Sequence, residues 1–181
     1  MRSMIWLAAG VGLCLGGLVG VVILVGLTLP RLHVASSRAT IAGAPDAVWE
    51  TLVDFAEHPS WRPEVHRYER GPDRDGRPLW TEFSKYGELP MLVEVADAPT
   101  TLRTRIATDR LPFGGSWTWE LSPHGDAATE VRITERGEIG NPIFRFMARW
   151  VMGYHSTMDR FLENLGRRFG TEVEPEHPDA A

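Results

Sequence analysis

The sequence lacks charge over most of its first 30 residues, and it holds a single cysteine. Arg2 is the only charged residue before Arg31, and Cys14 is the only cysteine among 181 residues. One thiol excludes an intramolecular disulfide, and its place inside the uncharged stretch excludes a cysteine nucleophile in the folded part. Lysine is equally scarce, with Lys85 alone, and the net charge is -5. We therefore expect no nucleic-acid partner, which would need a clustered basic surface.

Signatures of common catalytic sites are also missing. The sequence has no Gly-x-Ser-x-Gly nucleophile elbow and no glycine-rich phosphate-binding loop. The histidines do not suit a zinc site, since His58 and His66 fall on different predicted elements and His124 falls in a turn. We therefore predict no metal and no cofactor, and we assign no catalytic residue.

The uncharged stretch is long enough to cross a membrane. Residues 4–29 hold no charge, and as a helix they would extend about 39 Å against a bilayer core of about 30 Å. A cleaved signal peptide usually has a shorter apolar core with a cleavage site close behind it, whereas Pro30 and Arg31 follow here. We expect an uncleaved, single-pass anchor over residues 1–31. Because Arg2 and the amino terminus nearly balance Arg31 and Arg38, the side of the membrane on which the soluble part lies stays open.

Small residues recur along one side of this expected anchor. They lie four positions apart, at Ala8, Gly12, Gly16 and Gly20. That spacing lets two membrane helices approach closely, which favours self-association. Glycine is also common in membrane helices in general, and this explains the pattern equally well.

The charged part of the chain, residues 32–170, combines strand patterns with two helical patterns. A strand is expected within residues 33–41 and a helix over residues 45–55, followed by about six further short strands. Apolar residues alternate with charged ones in these strands, which is typical of an antiparallel sheet. Residues 171–181 are acidic and contain two prolines, so their composition predicts a disordered tail.

One long helix is expected over residues 141–170. Asn141 can cap its start, and Gly170 stands where a C-terminal glycine stop belongs. Its apolar residues recur every three or four positions and predict one buried stripe. Gly153 interrupts the stripe at a cost of about 1 kcal/mol relative to alanine. We therefore predict a bend or a close contact at Gly153, with the mouth or lid of any pocket beside it.

An antiparallel sheet with helices on one face is an α+β architecture, and a bent sheet around one helix commonly encloses an apolar cavity. The residues expected to line it are Phe83, Val93, Ile106, Trp117, Trp119, Met147, Trp150, Tyr154 and Met158. Ordinary core packing is the other explanation for each of them. Polar groups inside such a cavity would have shifted pKa values and suit acid/base chemistry. The candidates are His66 and Tyr68, with Tyr86 and Tyr154 beside them.

Several short motifs resemble a known superfamily. They are Ala44-Pro45, Val48-Trp49, Asp54-Phe55, and Trp61 with Pro63-Glu64-Val65. This opening resembles the SRPBCC superfamily, which includes START-like lipid-transfer domains, polyketide cyclase/dehydrase-like proteins and Bet v 1-like allergens. Residues 117–121, 135–139 and 141–145 are similar to a bacterial subset with an N-terminal membrane helix. The resemblance covers about residues 34–169.

The resemblance implies a helix-grip fold, in which a curved antiparallel sheet holds a long C-terminal helix with a hydrophobic tunnel between them. It implies a domain anchored in a bacterial inner membrane that binds or carries a lipid, polyketide or isoprenoid. The superfamily shares no catalytic motif, so no catalytic residue carries over. Two alternatives stay open. One is a cyclase- or aromatase-like enzyme acting in the same pocket, and the other is a structural or interaction protein with a filled core.

Overall fold

A computed structural model of the chain describes residues 16–125 and 127–179. The first half of the expected anchor, with Ala8 and Gly12, lies outside the described residues. Residues 16–28 form a helix, α1, which carries Gly16 and Gly20. Within the described ranges, no helix combines the length and the apolar character needed to cross a bilayer.

Seven strands form one antiparallel sheet. They are β1 (Leu32–Ile41), β2 (Val65–Arg70), β3 (Leu79–Ser84), β4 (Gly87–Asp97), β5 (Thr101–Ile106), β6 (Phe113–His124) and β7 (Ala128–Ile139). Their order is β1-β7-β6-β5-β4-β3-β2. The six later strands therefore form a meander, and β1 joins it by pairing with β7. The predicted arrangement of one strand followed by six more is confirmed.

Helices connect β1 to β2 and follow β7. The first group is α2 (Pro45–Val53), a 3-10 turn (Phe55–Glu57) and α3 (His58–Trp61), and the second is α4 (Pro142–Met147), a π turn (Ala148–Met152) and α5 (Ser156–Arg168). α2 begins at a proline, whose fixed φ suits the first helical turn. It buries Val48, Trp49 and Leu52 in the hydrophobic core.

The predicted long helix is broken at Gly153. Asn141 caps its start, since its side-chain oxygen accepts the N–H of Ile143 at 2.9 Å. α4 then widens into the π turn, which ends at Gly153 with φ 75° and ψ 157°. Only glycine adopts that backbone region without strain. The predicted bend at Gly153 is confirmed, but one continuous helix over residues 141–170 is not.

The hydrophobic core lies between the inner face of the sheet and α5. α5 contributes Met158, Phe161, Leu162 and Leu165, and the opposing inner-face residues include Trp119, Leu121, Val131 and Ile133. Side chains alternate across a strand, so Trp119 and Leu121 of β6 face this core together with Val131 and Ile133 of β7. The sheet and α5 together form the α+β helix-grip arrangement that the sequence predicted.

The C-terminal segment packs along the free edge of the sheet. Arg38 of β1 and Glu176 exchange two backbone hydrogen bonds of 2.9 Å, and their side chains pair at 2.7 Å. An uncovered edge strand would offer unpaired backbone groups to other chains, and the tail occupies part of this edge. The composition predicts a disordered tail over residues 171–181, and the structure places Glu176 of this segment against the edge of β1.

Candidate functional site

The space between the sheet and α5 is filled by aromatic side chains. The ring centroids of Trp117 and Trp119 lie 5.6 Å apart, and those of Trp119 and Phe161 lie 5.7 Å apart. The ring centroid of Trp61 lies 5.4 Å from that of Phe161. We refer to Trp117, Trp119, Phe161 and Trp61 as the aromatic row. The predicted cavity is therefore occupied by the protein's own side chains in this conformation.

The two best-formed depressions in the described part of the chain are at the surface. One, of about 400 Å³, lies between β1 and the C-terminal segment and is lined by Arg38, Glu130 and Glu176 among others. The other, of about 190 Å³, lies beside the end of α5 near Arg167. Neither lies between the sheet and α5, where the aromatic side chains pack.

A group of polar side chains is buried at the α3 end of the aromatic row. It consists of His58, Arg62, Glu64, Tyr68, Glu82 and Asn164, and we refer to it as the Arg62 cluster. Arg62 Nε lies 3.1 Å from Glu64 Oε1, and its Nη1 donates to Glu82 Oε2 at 3.0 Å and to Tyr68 Oη at 2.9 Å. Asn164 of α5 donates to the second oxygen of Glu64 at 3.2 Å. The cluster therefore ties β2 and β3 to α5.

Burial sets the protonation states inside the Arg62 cluster. Burial opposes the charge of Arg62, but the neighbouring Tyr68, Glu82 and Glu64 raise its pKa, so the guanidinium stays charged. Burial raises the pKa of Tyr68 well above its usual value, and the Tyr68 hydroxyl donates to Glu82. Burial, followed by the charge of Arg62, lowers the pKa of His58 to about 3. Neutral His58 then uses its Nε2 proton to donate to the Leu52 carbonyl at 3.0 Å.

The Arg62 cluster has the geometry of a fixed support. Both oxygens of Glu64 have partners, and the Arg62 guanidinium lies 5.1 Å from the centre of the Phe161 ring, which covers it. A carboxylate and a phenol in contact are chemically suited to proton transfer. Here Tyr68 and Glu82 already bond to each other and to Arg62, which favours a structural role.

A second polar group lies beside the helix break, on the inner face of β1, β6 and β7. It consists of His33, Trp117, Glu135 and Tyr154, and we refer to it as the Glu135 cluster. Trp117 Nε1 donates to one oxygen of Glu135 at 2.9 Å, and His33 Nε2 lies 3.0 Å from the other. The His33 ring stacks on Tyr154 with centroids 4.3 Å apart.

A glycine makes room for the His33 ring in this cluster. A Cβ at Gly137 would lie 2.1 Å from the Cε1 atom of His33, so a larger residue would displace the ring. Tyr154 follows Gly153 directly, so any movement at the break would disturb its stacking on His33. The Glu135 cluster therefore places hydrogen-bonding groups where the helix is interrupted. It is a better candidate for a ligand site than the Arg62 cluster.

A Ser-His-Asp arrangement on β1 and α5 does not form a catalytic triad. Ser37 is fully buried and its hydroxyl donates directly to Asp159 at 2.7 Å. In a triad the histidine stands between serine and aspartate. His155 instead lies 3.3 Å from Ser37 and stacks on His177 at 4.0 Å. Burial and the neighbouring His177 lower the pKa of His155. In the described ranges, no group of three or more His, Cys, Asp or Glu side chains is arranged to hold a metal ion.

The predicted lining residues fall into several environments. Val93, Trp119 and Met158 belong to the buried core, while Trp117 and Tyr154 are partly buried and pack against it. Ile106 is half-buried at the end of β5.

Three predicted lining residues point away from the interior. Phe83 lies on the outer face, 3.7 Å below the guanidinium of the exposed Arg67, because the inner positions of β3 are those of Trp80 and Glu82. Met147 and Trp150 lie on the surface, and Trp150 is 61% exposed. The expected inward orientation of Phe83 is wrong, because neighbouring residues of a strand face opposite sides and Glu82 takes the inner position.

The two polar candidates on β2 also separate. Tyr68 lies inside, in the Arg62 cluster. His66 is exposed, because the pairing of β2 with β3 shifts between Val65 and Arg67 and leaves it as the additional residue of a bulge.

Sequence reasoning missed Glu82 and Glu135, although a signal was present. Glu135 follows Val131 and Ile133 at the same spacing of two, so it continues the inward face of β7. A carboxylate at an apolar position of an alternating strand indicates either a buried partner or a functional site.

Comparisons with known proteins identify the fold family. The family model described as polyketide cyclase/dehydrase and lipid transport matches residues 32–170. No curated protein is significantly similar to the chain.

Solved structures of low sequence identity share the fold. A START superfamily protein from Mycobacterium smegmatis is 18% identical, with a TM-score of 0.61 over 76% of this chain and 97% of its own. The Zhui aromatase/cyclase from Streptomyces sp. R1128 is 13% identical, with a TM-score of 0.63 over 77% and 94%. Truncated norcoclaurine synthase from Thalictrum flavum is 12% identical, with a TM-score of 0.59 over 76% and 92%. The family match and the shared fold agree, and the chain belongs to the polyketide cyclase/dehydrase and lipid transport family of the SRPBCC superfamily.

Proposed function

We propose that the protein is a membrane-anchored domain that binds or carries a hydrophobic small molecule between its sheet and its C-terminal helix. The ligand class is a lipid, a polyketide or an isoprenoid. The observation that carries this proposal is the helix break at Gly153, which separates the exposed segment 142–152 from the buried α5. The family match to lipid transport and polyketide cyclisation supports the ligand class.

The break gives the filled interior a way to open. α5 is held by its buried face and by the contact of Asn164 with Glu64, whereas α4 and the π turn have few buried residues. Rotation at Gly153 would move α4 and the π turn while α5 stays in place. The opening would lie at the Glu135 cluster, with Trp119 behind Trp117.

The Glu135 cluster would orient a ligand with one polar end. Glu135 presents carboxylate oxygens, while Tyr154 presents a hydroxyl and His33 a ring nitrogen. A hydroxyl group of a ligand would take the place of His33 or Trp117 in the hydrogen bonds that they now make to Glu135. The aromatic row would then contact the apolar part of the ligand.

The expected anchor would end close to this opening. The helix 16–28 approaches α4 so closely that a Cβ at Gly26 would lie 2.0 Å from the Pro142 carbonyl oxygen. Arg145 Nη1 also donates to the Leu29 carbonyl at 2.7 Å. A ligand that partitions into a bilayer would therefore meet the domain near its opening.

A closed interaction protein is the second candidate. The filled interior favours it, since Trp119, Phe161 and Met158 are all at most 4% exposed. A protein of this kind would use its surface and the small residues of the anchor, and its interior would never open to a ligand.

Photolabelling separates the two candidates. The full chain, purified in detergent, is irradiated with a diazirine fatty acid, and the adducts are located by mass spectrometry. Ligand entry predicts adducts on Trp119 or Met158 that an excess of unlabelled fatty acid suppresses. Adducts confined to surface residues such as Trp150 and Val151 would reject entry and support the closed candidate.

A further inference from the structure

The segment 142–152 exposes a continuous set of large apolar side chains. These are Ile143, Phe144, Met147, Trp150, Val151 and Met152, which are between 36% and 62% exposed. We refer to them as the α4 patch. Scattered apolar residues are normal on a protein surface, but a contiguous group of six marks a site that another apolar phase covers.

The α4 patch adjoins the end of the uncharged N-terminal stretch. The close approach of Gly26 to Pro142 and the hydrogen bond from Arg145 to Leu29 place α4 against the C-terminal end of α1. α1 exposes its own large apolar residues, Leu18, Val19, Val21, Leu24 and Leu27, at 51–66%. The two apolar surfaces therefore continue into each other.

We infer that the α4 patch lies in the interfacial zone of a lipid bilayer, beside the point where the anchor leaves it. The inference rests on the anchoring part of the proposed function. An anchor that crosses within residues 4–29 would bring Gly26 to the boundary of the hydrocarbon core, and α4 contacts that level. The headgroup region of the adjoining leaflet would cover the apolar side chains of the patch that are now exposed.

The side chains within the patch suit an interface. The Arg149 guanidinium lies 4.9 Å from the centre of the Trp150 ring, and both residues are exposed. Tryptophan is enriched at the level of lipid headgroups, and an arginine beside it can extend its charge toward the phosphates. A helical segment with an apolar face and an exposed cation beside it suits a position along the membrane plane.

A second copy of the chain is the other occupant that such a patch would admit. The bilayer is favoured because the patch is continuous with an uncharged stretch of 26 residues at positions 4–29. A protein partner would have to cover α4 while leaving the adjoining surface of α1 to the lipid.

Site-directed fluorescence tests the inference in the full chain. In a Cys14→Ser background, a single cysteine replaces Met152 or, as a second label, Val151, and carries the NBD fluorophore. Ser122→Cys is the matched control. Ser122 is exposed and lies near the opposite end of β6 from Phe113. The proteins are reconstituted into phosphatidylcholine/phosphatidylglycerol vesicles with or without lipids that carry a doxyl quencher at acyl position 5.

A bilayer contact predicts blue-shifted emission at positions 152 and 151 and at least about twofold more quenching there than at position 122. Equal quenching at the patch and the control, in protein that resists carbonate extraction, would overturn the inference and leave the anchor intact. Release of the protein by carbonate would reject the anchoring itself. Blue-shifted emission without lipid quenching, together with disulfide cross-linking between two copies of the unlabelled Met152→Cys protein, would assign the patch to a second copy.

Discussion

The Nη1 atom of Arg62 lies 3.0 Å from the Oε2 atom of Glu82, and both side chains are buried beneath α5. A buried ion pair adds little net stability, because desolvation offsets the attraction between the charges. Removing one partner is costly, since the other charge then stays buried alone. The pair therefore makes the contact between β3 and α5 sensitive to single substitutions.

Replacing Arg62 by methionine should lower the free energy of unfolding by about 3–5 kcal/mol at pH 7. The substitution leaves Glu64 and Glu82 buried without their cation, and chemical denaturation in detergent measures the loss. Arg103→Met is the control. Arg103 is an exposed partner of Glu94, and Glu94 keeps its second partner, Arg105, when Arg103 is replaced. The control should lose less than about 1 kcal/mol.

A neutral partner should recover part of this loss. Adding Glu82→Gln to Arg62→Met removes one unpaired buried charge, so the double variant should be more stable than Arg62→Met alone. If Arg62→Met and Arg103→Met lose the same amount, the Arg62 cluster does not support the fold in the way that we describe.

His58 should make the stability depend on pH. Its pKa is about 3 in the folded protein, against an ordinary value of 6.5. Between pH 3 and 6.5 the unfolded chain therefore binds one more proton than the folded chain at this residue. The contribution is complete above pH 6.5, and it falls by about 1.4 kcal/mol per pH unit as the pH drops toward 3.

The variant His58→Gln isolates this contribution. Its free energy of unfolding should vary less steeply with pH between pH 4 and 6. The difference in slope should correspond to about one proton, whatever the stability of the variant at pH 7. His124→Gln, which removes an exposed histidine at the end of β6, controls for the loss of a histidine as such. Equal slopes in the wild type and His58→Gln would show that His58 is not buried as a neutral group.

The sheet and the helix that packs on it were predictable from the sequence, because both depend on local patterns. Alternation of apolar and charged residues fixes the strands of a meander, and Asn141 and Gly153 mark a helix start and a helix break by their backbone chemistry. The face of β3 was harder to predict. Either Trp80 and Glu82 or Phe83 could face the interior, and the sequence does not decide between them until the register with β4 is known.

The α4 patch and the buried polar groups could not be predicted from spacing alone. A stripe at helical spacing assumes 3.6 residues per turn, but the π turn at residues 148–152 changes the phase, so Met147 and Trp150 leave the buried face. The partners of Arg62 come from different elements, and only the tertiary fold joins them. The docking of the tail similarly depends on the free edge beside Arg38.

Gly153 should be the most sensitive position for ligand entry. A Cβ there would meet no atom within 4 Å, so Gly153→Ala introduces only backbone strain, at about 1–3 kcal/mol. The chain can relieve this strain by changing the conformation at the break, which would alter access to the Glu135 cluster. We expect Gly153→Ala to lose stability and to show reduced photolabelling of Trp119 and Met158.

Gly140→Ala is the matched control for this prediction. Gly140 also has no atom within 4 Å of an added Cβ, but its φ lies outside the left-handed region, so alanine fits there without strain. It should keep the stability of the wild type to within about 1 kcal/mol, together with its interior labelling, because alanine restricts only the unfolded chain. If Gly153→Ala labels Trp119 as efficiently as Gly140→Ala does, ligands do not enter at the helix break, since only one of the two substitutions acts on it.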